Sequence, residues 1–428
     1  MEADPKPEFK AAVGLSRKWK AREAGREVAR DTLEKLGKNP NFVLLFTTIH
    51  YEKHGGFQEF LDGVWDILPE GTPLVGGTVA GFINPQGCYT RGATMLAVNY
   101  PNMDIATGIG KNTKRNPKKA AQQCAKTIKD KLNNTQYSNQ SLVDLISGGR
   151  LPNFFGFGEK RVLDSVKSTI ACNLYSTSLL TLQRGIGRED EILKVFTDEL
   201  SNYQILSGSS MDDENMLENY QFIGKSFFTN SIVALALSSD LETFLGRSHC
   251  LKEEKNFKVT KLSADRRIIN EINGKPATPE LLRLLGWPKQ YLDERLYRKS
   301  FFYPISFKTK EGSIVPMVLG LILGDSILVS YEIEGDELSI LSASGRRWIE
   351  AAEEPFLNIQ TQPHLAIISS CGIILEGLGS GNIEIWKKLK KHLSDTPFLL
   401  FYTAGEAIYS TEFGLKYGNC TFNLMCLK

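Results

Sequence analysis

The chain has 428 residues, with 51 Lys and Arg against 49 Asp and Glu, a formal charge of +2, and 42% hydrophobic residues. Such balanced charge excludes the electrostatic footprint of a nucleic-acid or anionic-membrane binder, and no apolar run reaches the roughly 18–20 residues that a membrane helix needs. Seven scattered cysteines without a CxxC pair match the usage of reduced thiols, so a cytoplasmic protein with no nucleic-acid or membrane partner is expected.

In chain order, the first feature is a strand and helix within residues 13–37, VGLSRKWKAREAGREVARDTLEKLG. An internal repeat with three copies follows. Copy one opens with the strand Phe42–Phe46, passes through the helical period of Phe57–Leu68 to the strand Pro73–Thr78, and closes with Ala93–Val98. The segment Arg115–Gln140 is polar and lysine-rich, with Ala120, Ala121, Cys124, Ala125 and Ile128 on one helical face, and reads as a surface helix. Copy two is assigned Ser178–Leu182 as first strand, Asp190–Leu200 as helix, Gln204–Ser209 as second strand and Ser231–Leu237 as closing strand. Strands at Phe257–Leu262 and Arg267–Ile272, a helix at Pro279–Leu285 and an antiparallel meander from Phe301 to Ser344 come next. Copy three uses Leu365–Ile368, the helix Ile383–Leu393, the strand Pro397–Gly405 and the closing strand Cys420–Leu427. Each copy switches from β-type apolar runs to a 3.6-residue period and back, the pattern of a strand–helix–strand unit. The expected fold is α/β, with mixed sheets flanked by helices, three pseudo-repeated units and an antiparallel meander in the C-terminal half.

Small residues follow the second strand of every copy: Gly76-Gly77-Thr78, Gly208-Ser209-Ser210 and Thr403-Ala404-Gly405. In α/β sheets ligands sit at the carboxyl ends of strands, and a missing side chain lets a backbone approach closely. These ends are therefore candidates to line a ligand cleft, or else simple turn residues.

The order of segments resembles the FIST domain family, in its N-terminal plus C-terminal form, over nearly the whole chain. The residues that carry the resemblance are VLLFTT with PLVGGTVAG, ILSGSSMDD, INEINGKPA with FYPISF, ISSCG, FYTAGEAIYS and NCTFNLMCL. It implies an N-terminal domain over residues 11–240 and a C-terminal domain over 241–428, in a stand-alone sensory protein. It also implies that the protein binds a small ligand, an amino acid or a derivative, and passes its occupancy to a signalling protein partner. Matching positions are Gly76, Gly77, Thr78, Gly81, Gly208, Ser209, Asp212, Asp213, Cys371, Gly405, Glu406, Asn419 and Thr421. The family's Cys-x-x-Arg is absent, because Cys371 is followed by Gly372-Ile373-Ile374, which removes the guanidinium fork best suited to a carboxylate.

Glu406 can hold a ligand amine, act as a base or cap a turn. Asp212 and Asp213 can hold a cation or amine, although adjacent extended residues point to different sides. Cys371 needs a nearby base to become a nucleophile and otherwise is a buried thiol. His50 and His54 flank Glu52, but a zinc helix needs the Glu directly after the first His. The glycine-rich stretches at 108–111 and 377–381 fit neither a P-loop nor a dinucleotide fingerprint, so no cofactor and no metal is expected. Two other readings stay open: an enzyme working on a small metabolite through Glu406, Cys371 or the aspartate pair, and a protein-interaction scaffold.

Overall fold

A computed structural model describes residues 7–151, 161–163, 178–249 and 251–428. The aromatic run at 154–157 and the cysteines at 172 and 250 lie outside these residues; the five described cysteines are free. Among the described residues, no helix is long and apolar enough to cross a membrane.

The fold is mixed α/β with four sheets flanked by helices. In the first, second and third sheets the two middle strands are parallel: Phe42–Thr47 with Leu74–Thr78, Asn139–Ser147 with Gln204–Ser210, and Leu365–Cys371 with Phe398–Thr403. On one side of each pair come an antiparallel closing strand and an edge strand. These are Ala93–Asn99 with Lys10–Ser16, Ser231–Ser239 with Met103–Lys111, and Phe422–Leu427 with Thr243–Ser248. On the other side comes a hairpin from a different copy. The hairpin Gly81–Tyr89 of copy one joins the third sheet, Gln221–Phe228 of copy two joins the first, and Glu406–Gly418 of copy three joins the second. Each of these three sheets is thus completed by another copy, and hydrogen bonding runs unbroken between the two halves of the chain.

Strand alternation sorts the side chains. Phe42, Leu44 and Phe46 face a core shared with Val143, Leu145, Leu206, Leu399 and Phe401 of the other two sheets, where the rings of Phe46 and Phe401 stack at 4.3 Å. Their neighbours Val43 and Leu45 face away, under the helices Ala21–Leu36 and Phe57–Trp65. This two-sided burial explains why such strands read as continuous apolar runs. Helix Ala21–Leu36 buries Ala21, Ala24, Val28, Ala29 and Leu36 at helical spacing and stops at left-handed Gly37, whose N–H bonds to Leu33 O. Helices Pro117–Leu132 and Glu189–Glu199 cover the second sheet, and Gly372–Leu378 with Asn382–Leu393 cover the third.

The fourth sheet runs, along its main path, Ile314–Met317, Ile305–Lys308, Glu337–Ser342, Lys252–Leu262, Ile268–Ile272, Ser326–Val329, Leu319–Leu323, Val162–Leu163. It is antiparallel except at its last pair. Its anchor to copy two is buried: Arg267 Nη2 donates to Asp190 Oδ1 and Oδ2 at 2.7 and 2.9 Å.

One strand assignment is corrected. Ser178–Leu182 is a π-helical turn, with Leu180 and Leu182 about half exposed. The first strand of copy two is Asn139–Ser147. A five-residue apolar run does not distinguish strand from turn, and Asp144 breaks the apolar run of the true strand.

Candidate functional site

The glycine-rich strand ends meet where the copies touch. A Cβ on Gly76 would lie 1.7 Å from Leu45 O, and one on Gly77 would lie 2.3 Å from Tyr220 O and 2.5 Å from Leu145 Cδ2. At Gly81 the obstacle is Leu375 Cδ2 at 2.7 Å, at Gly208 it is Thr403 Cγ2 at 2.8 Å, and at Gly405 it is Tyr331 Oη at 2.4 Å. The absent side chains thus make room for protein atoms, mostly of a neighbouring copy. Backbone bonds lock this seam: Met211 N donates to Thr78 O, Ser209 N to Gly405 O, and Ala404 N to Ser209 O. Thr78 Oγ1 accepts from Tyr220 N at 3.0 Å. Asn419 ties the seam to the fourth sheet, accepting from Val318 N at 3.1 Å and donating to Ala404 O at 2.8 Å.

Beside the seam, between copies two and three and the fourth sheet, lies a cavity of about 50 Å³. Its walls include Cys371, Thr403, Glu189, Glu214, Tyr297 and Tyr331. Glu214 is half-buried as a residue, yet its Oε1 is fully enclosed and has no hydrogen-bond partner. That oxygen points at the start of helix Gly372–Leu378, since a Cβ on Gly372 would lie 2.9 Å from it. Burial, then the charges of Asp212 and Glu376, push the Glu214 carboxyl up to about 7, against the pull of Arg161. Glu189 is raised by burial and eased by Lys114. Lys114 is itself pushed down to about 7 by burial, and its Nζ donates to Ser147 O and Gly148 O at 3.2 and 2.6 Å.

Cys371, in this wall, sits against Glu406. Burial raises the Cys371 thiol well above its ordinary value, so it stays protonated. Burial also raises Glu406 well above the carboxylate range. Its oxygens accept from Thr421 Oγ1 at 3.1 Å and Thr403 Oγ1 at 3.3 Å.

Asp212 and Asp213 belong to a different space, an open cleft of about 570 Å³ that also takes in His50, Glu52, Lys53, His54, Arg184 and Glu218. Asp212 is buried, and accepts from Met216 N and Leu217 N at 2.9 and 2.8 Å, whereas Asp213 is exposed. His50 is pushed down to about 4 by burial and then by Arg91 and His54. Among the described residues no group of three or more His, Cys, Asp or Glu could hold a metal ion.

The structure therefore brings Cys371 to the cavity lining with Glu406 packed against it, Asp212 and Asp213 to the cleft, and the glycines to the packing seam. Glu189, Glu214, Tyr297 and Tyr331 were missed by sequence reasoning. The acidic run Asp212-Asp213-Glu214 was the available signal for Glu214; nothing local marks the others.

Among solved structures, a crystal structure of cyanuric acid hydrolase from A. caulinodans is similar at 9% identity and a TM-score of 0.29. The likeness covers 55% of this chain and 72% of that one and carries no argument. No curated protein matches the chain. The description "FIST N domain" matches residues 41–275, and with more than half of its length matched, this chain belongs to that family of sensory, small-ligand-binding domains.

Proposed function

We propose that the protein senses a small cytoplasmic amine, an amino acid or derivative, whose protonated nitrogen enters this cavity and pairs with Glu214. The observation that carries this reading is the enclosed, partnerless Oε1 of Glu214. A buried carboxyl without a partner is destabilised as an anion, and a ligand cation would restore its ionised form. The cavity, at about 50 Å³, suits a head group or a few waters, with the rest of the ligand reaching outward. The missing Arg after Cys371 agrees with an amine rather than a carboxylate as the group taken inside. Binding here would join copies two and three and the fourth sheet through one contact. It would shift a signalling equilibrium as far as the ligand prefers one state. The protonated Cys371 favours binding over nucleophilic chemistry, and five free described cysteines suit a reducing compartment.

Native mass spectrometry of the purified protein, followed by a thermal-shift screen of amino acids and simple amines, tests the reading. A true ligand stabilises by about 2.7 kcal/mol at a hundredfold excess over Kd. Glu214→Gln should abolish that gain while leaving the ligand-free melt nearly unchanged. A variant that binds as well as the parent removes the site from this cavity.

A further inference from the structure

Hydrogen bonding around the cavity singles out two atoms. Of the hydroxyls that line it, Tyr331 Oη donates to Gly418 O at 3.1 Å, Thr403 Oγ1 to Ser370 O at 3.2 Å and Ser330 Oγ to Val318 O at 3.4 Å. Among the carboxyls, Glu189 has Lys114 and the Ser209 hydroxyl beside it. Tyr297 differs: the residue is 5% exposed, and its Oη has neither solvent contact nor a hydrogen-bond partner. Glu214 Oε1, on the same cavity, is in the same state. Leaving a buried polar atom unpaired is costly, so two of them on one cavity mark positions that a ligand would satisfy.

The two atoms ask for different partners. Burial, then the charge of Glu214, push the Tyr297 hydroxyl above its ordinary value, so it remains an O–H. The Arg161 guanidinium approaches this hydroxyl without completing a hydrogen bond to it. A guanidinium carries donors only, so the phenol turns its lone pairs to that side and its proton away, as a donor. An ionised Glu214, by contrast, only accepts. Space sets how far apart the ligand's two groups can be. At 10–15 Å³ for each water-sized group, a cavity of about 50 Å³ takes about four such groups: the ammonium, two carbons and an oxygen. Met211, Met216, Ile186 and Val318 supply apolar lining for the carbons. A carboxylate oxygen is the poorer acceptor here, because Glu189 and Glu214 already line the cavity and Asp212 and Glu376 add their charge. A neutral hydroxyl or carbonyl avoids that repulsion.

We infer that the head group taken into this cavity is a primary amine with a neutral oxygen in the order N–C–C–O, as in an amino alcohol or an amino-acid amide or ester. Its ammonium pairs with Glu214, and its oxygen accepts from Tyr297 Oη. The inference rests on the amine reading of the same cavity, and the probes separate the two. Ethanolamine and propylamine have the same number of heavy atoms and differ only in a hydroxyl for a methyl. Isothermal titration calorimetry of the full-length protein at pH 8, where both amines are protonated, should show ethanolamine binding about tenfold more tightly, since a site built around a hydroxyl rejects the analogue without it. Glycine, with its carboxylate, should bind more weakly than ethanolamine. Tyr297→Phe should erase the difference between the two amines, and Glu214→Gln should abolish binding of both. Equal affinity of the parent for the two amines would leave the amine site standing and overturn the present inference; binding of neither would remove the amine site and this inference with it. Glycine binding as tightly as ethanolamine would overturn the neutral oxygen. Tyr297→Phe also gives a readout without ligand: it deletes an atom that has no partner, so its ligand-free melt should match or exceed that of the parent. A lower melt would mean that the hydroxyl is already used inside the fold, and would overturn the inference.

Discussion

Asp144 offers the sharpest test of how this core treats charge. It sits mid-strand in the second sheet, between Ser207 and Ala234. Its Oδ1 accepts from Ser207 Oγ at 2.6 Å, while the enclosed Oδ2 has no partner. Burial raises its pKa from 3.8 to about 8, with Ser207 opposing. The folded state therefore holds a proton that the unfolded chain gives up above its ordinary value. Stability from this group is fully present below about pH 4 and drains away as pH rises towards 8. At about 1.4 kcal/mol per unit, the fall between pH 5 and pH 8 is about 4 kcal/mol at most. Relaxation around the ionised group should leave about 2 kcal/mol. Asp144→Asn copies the protonated acid in shape and keeps the acceptor for Ser207, but does not titrate. Urea unfolding of parent and variant at pH 5 and pH 8 isolates the term, because every other group changes equally in both. The variant's advantage should grow by about 2 kcal/mol across that interval. An identical difference at the two pH values would refute the claim that Asp144 is buried as a neutral acid.

Two further substitutions test the scaffold. Gly76→Ala would put a methyl 1.7 Å from Leu45 O, so the urea midpoint should fall by the equivalent of about 3 kcal/mol or more; a near-neutral result would show that the first sheet yields easily. Arg267→Ala strands buried Asp190 and should lose about 3–5 kcal/mol, whereas the double change Arg267→Met with Asp190→Leu should recover most of it.

Copies one and three were legible because Phe42–Thr47 and Leu365–Cys371 are buried along their whole length. Apolar runs of that kind are local and need no knowledge of the partner strand. Copy two was misaligned for the reason that makes Asp144 informative: a carboxyl inside the strand mimics the break that normally ends one. The helices Ala21–Leu36, Phe57–Trp65 and Asn382–Leu393 followed from their 3.6-residue periods. The candidate residues were legible as chemistry but not as a place. Gly77, Gly208 and Gly405 marked close approach, and only the packing of the copies and the fourth sheet shows what approaches.

By itself, then, the sequence determined most of the elements, copies one and three of the repeat, and the family, since periodicity and small-residue spacing are properties of neighbouring positions along the chain. Tertiary structure alone decided the exchange of hairpins between copies, the division of Asp212 and Glu214 between two pockets, and the enclosed carboxyl oxygen of Glu214. Those depend on which distant segments exclude water from a group, and desolvation has no counterpart in local spacing.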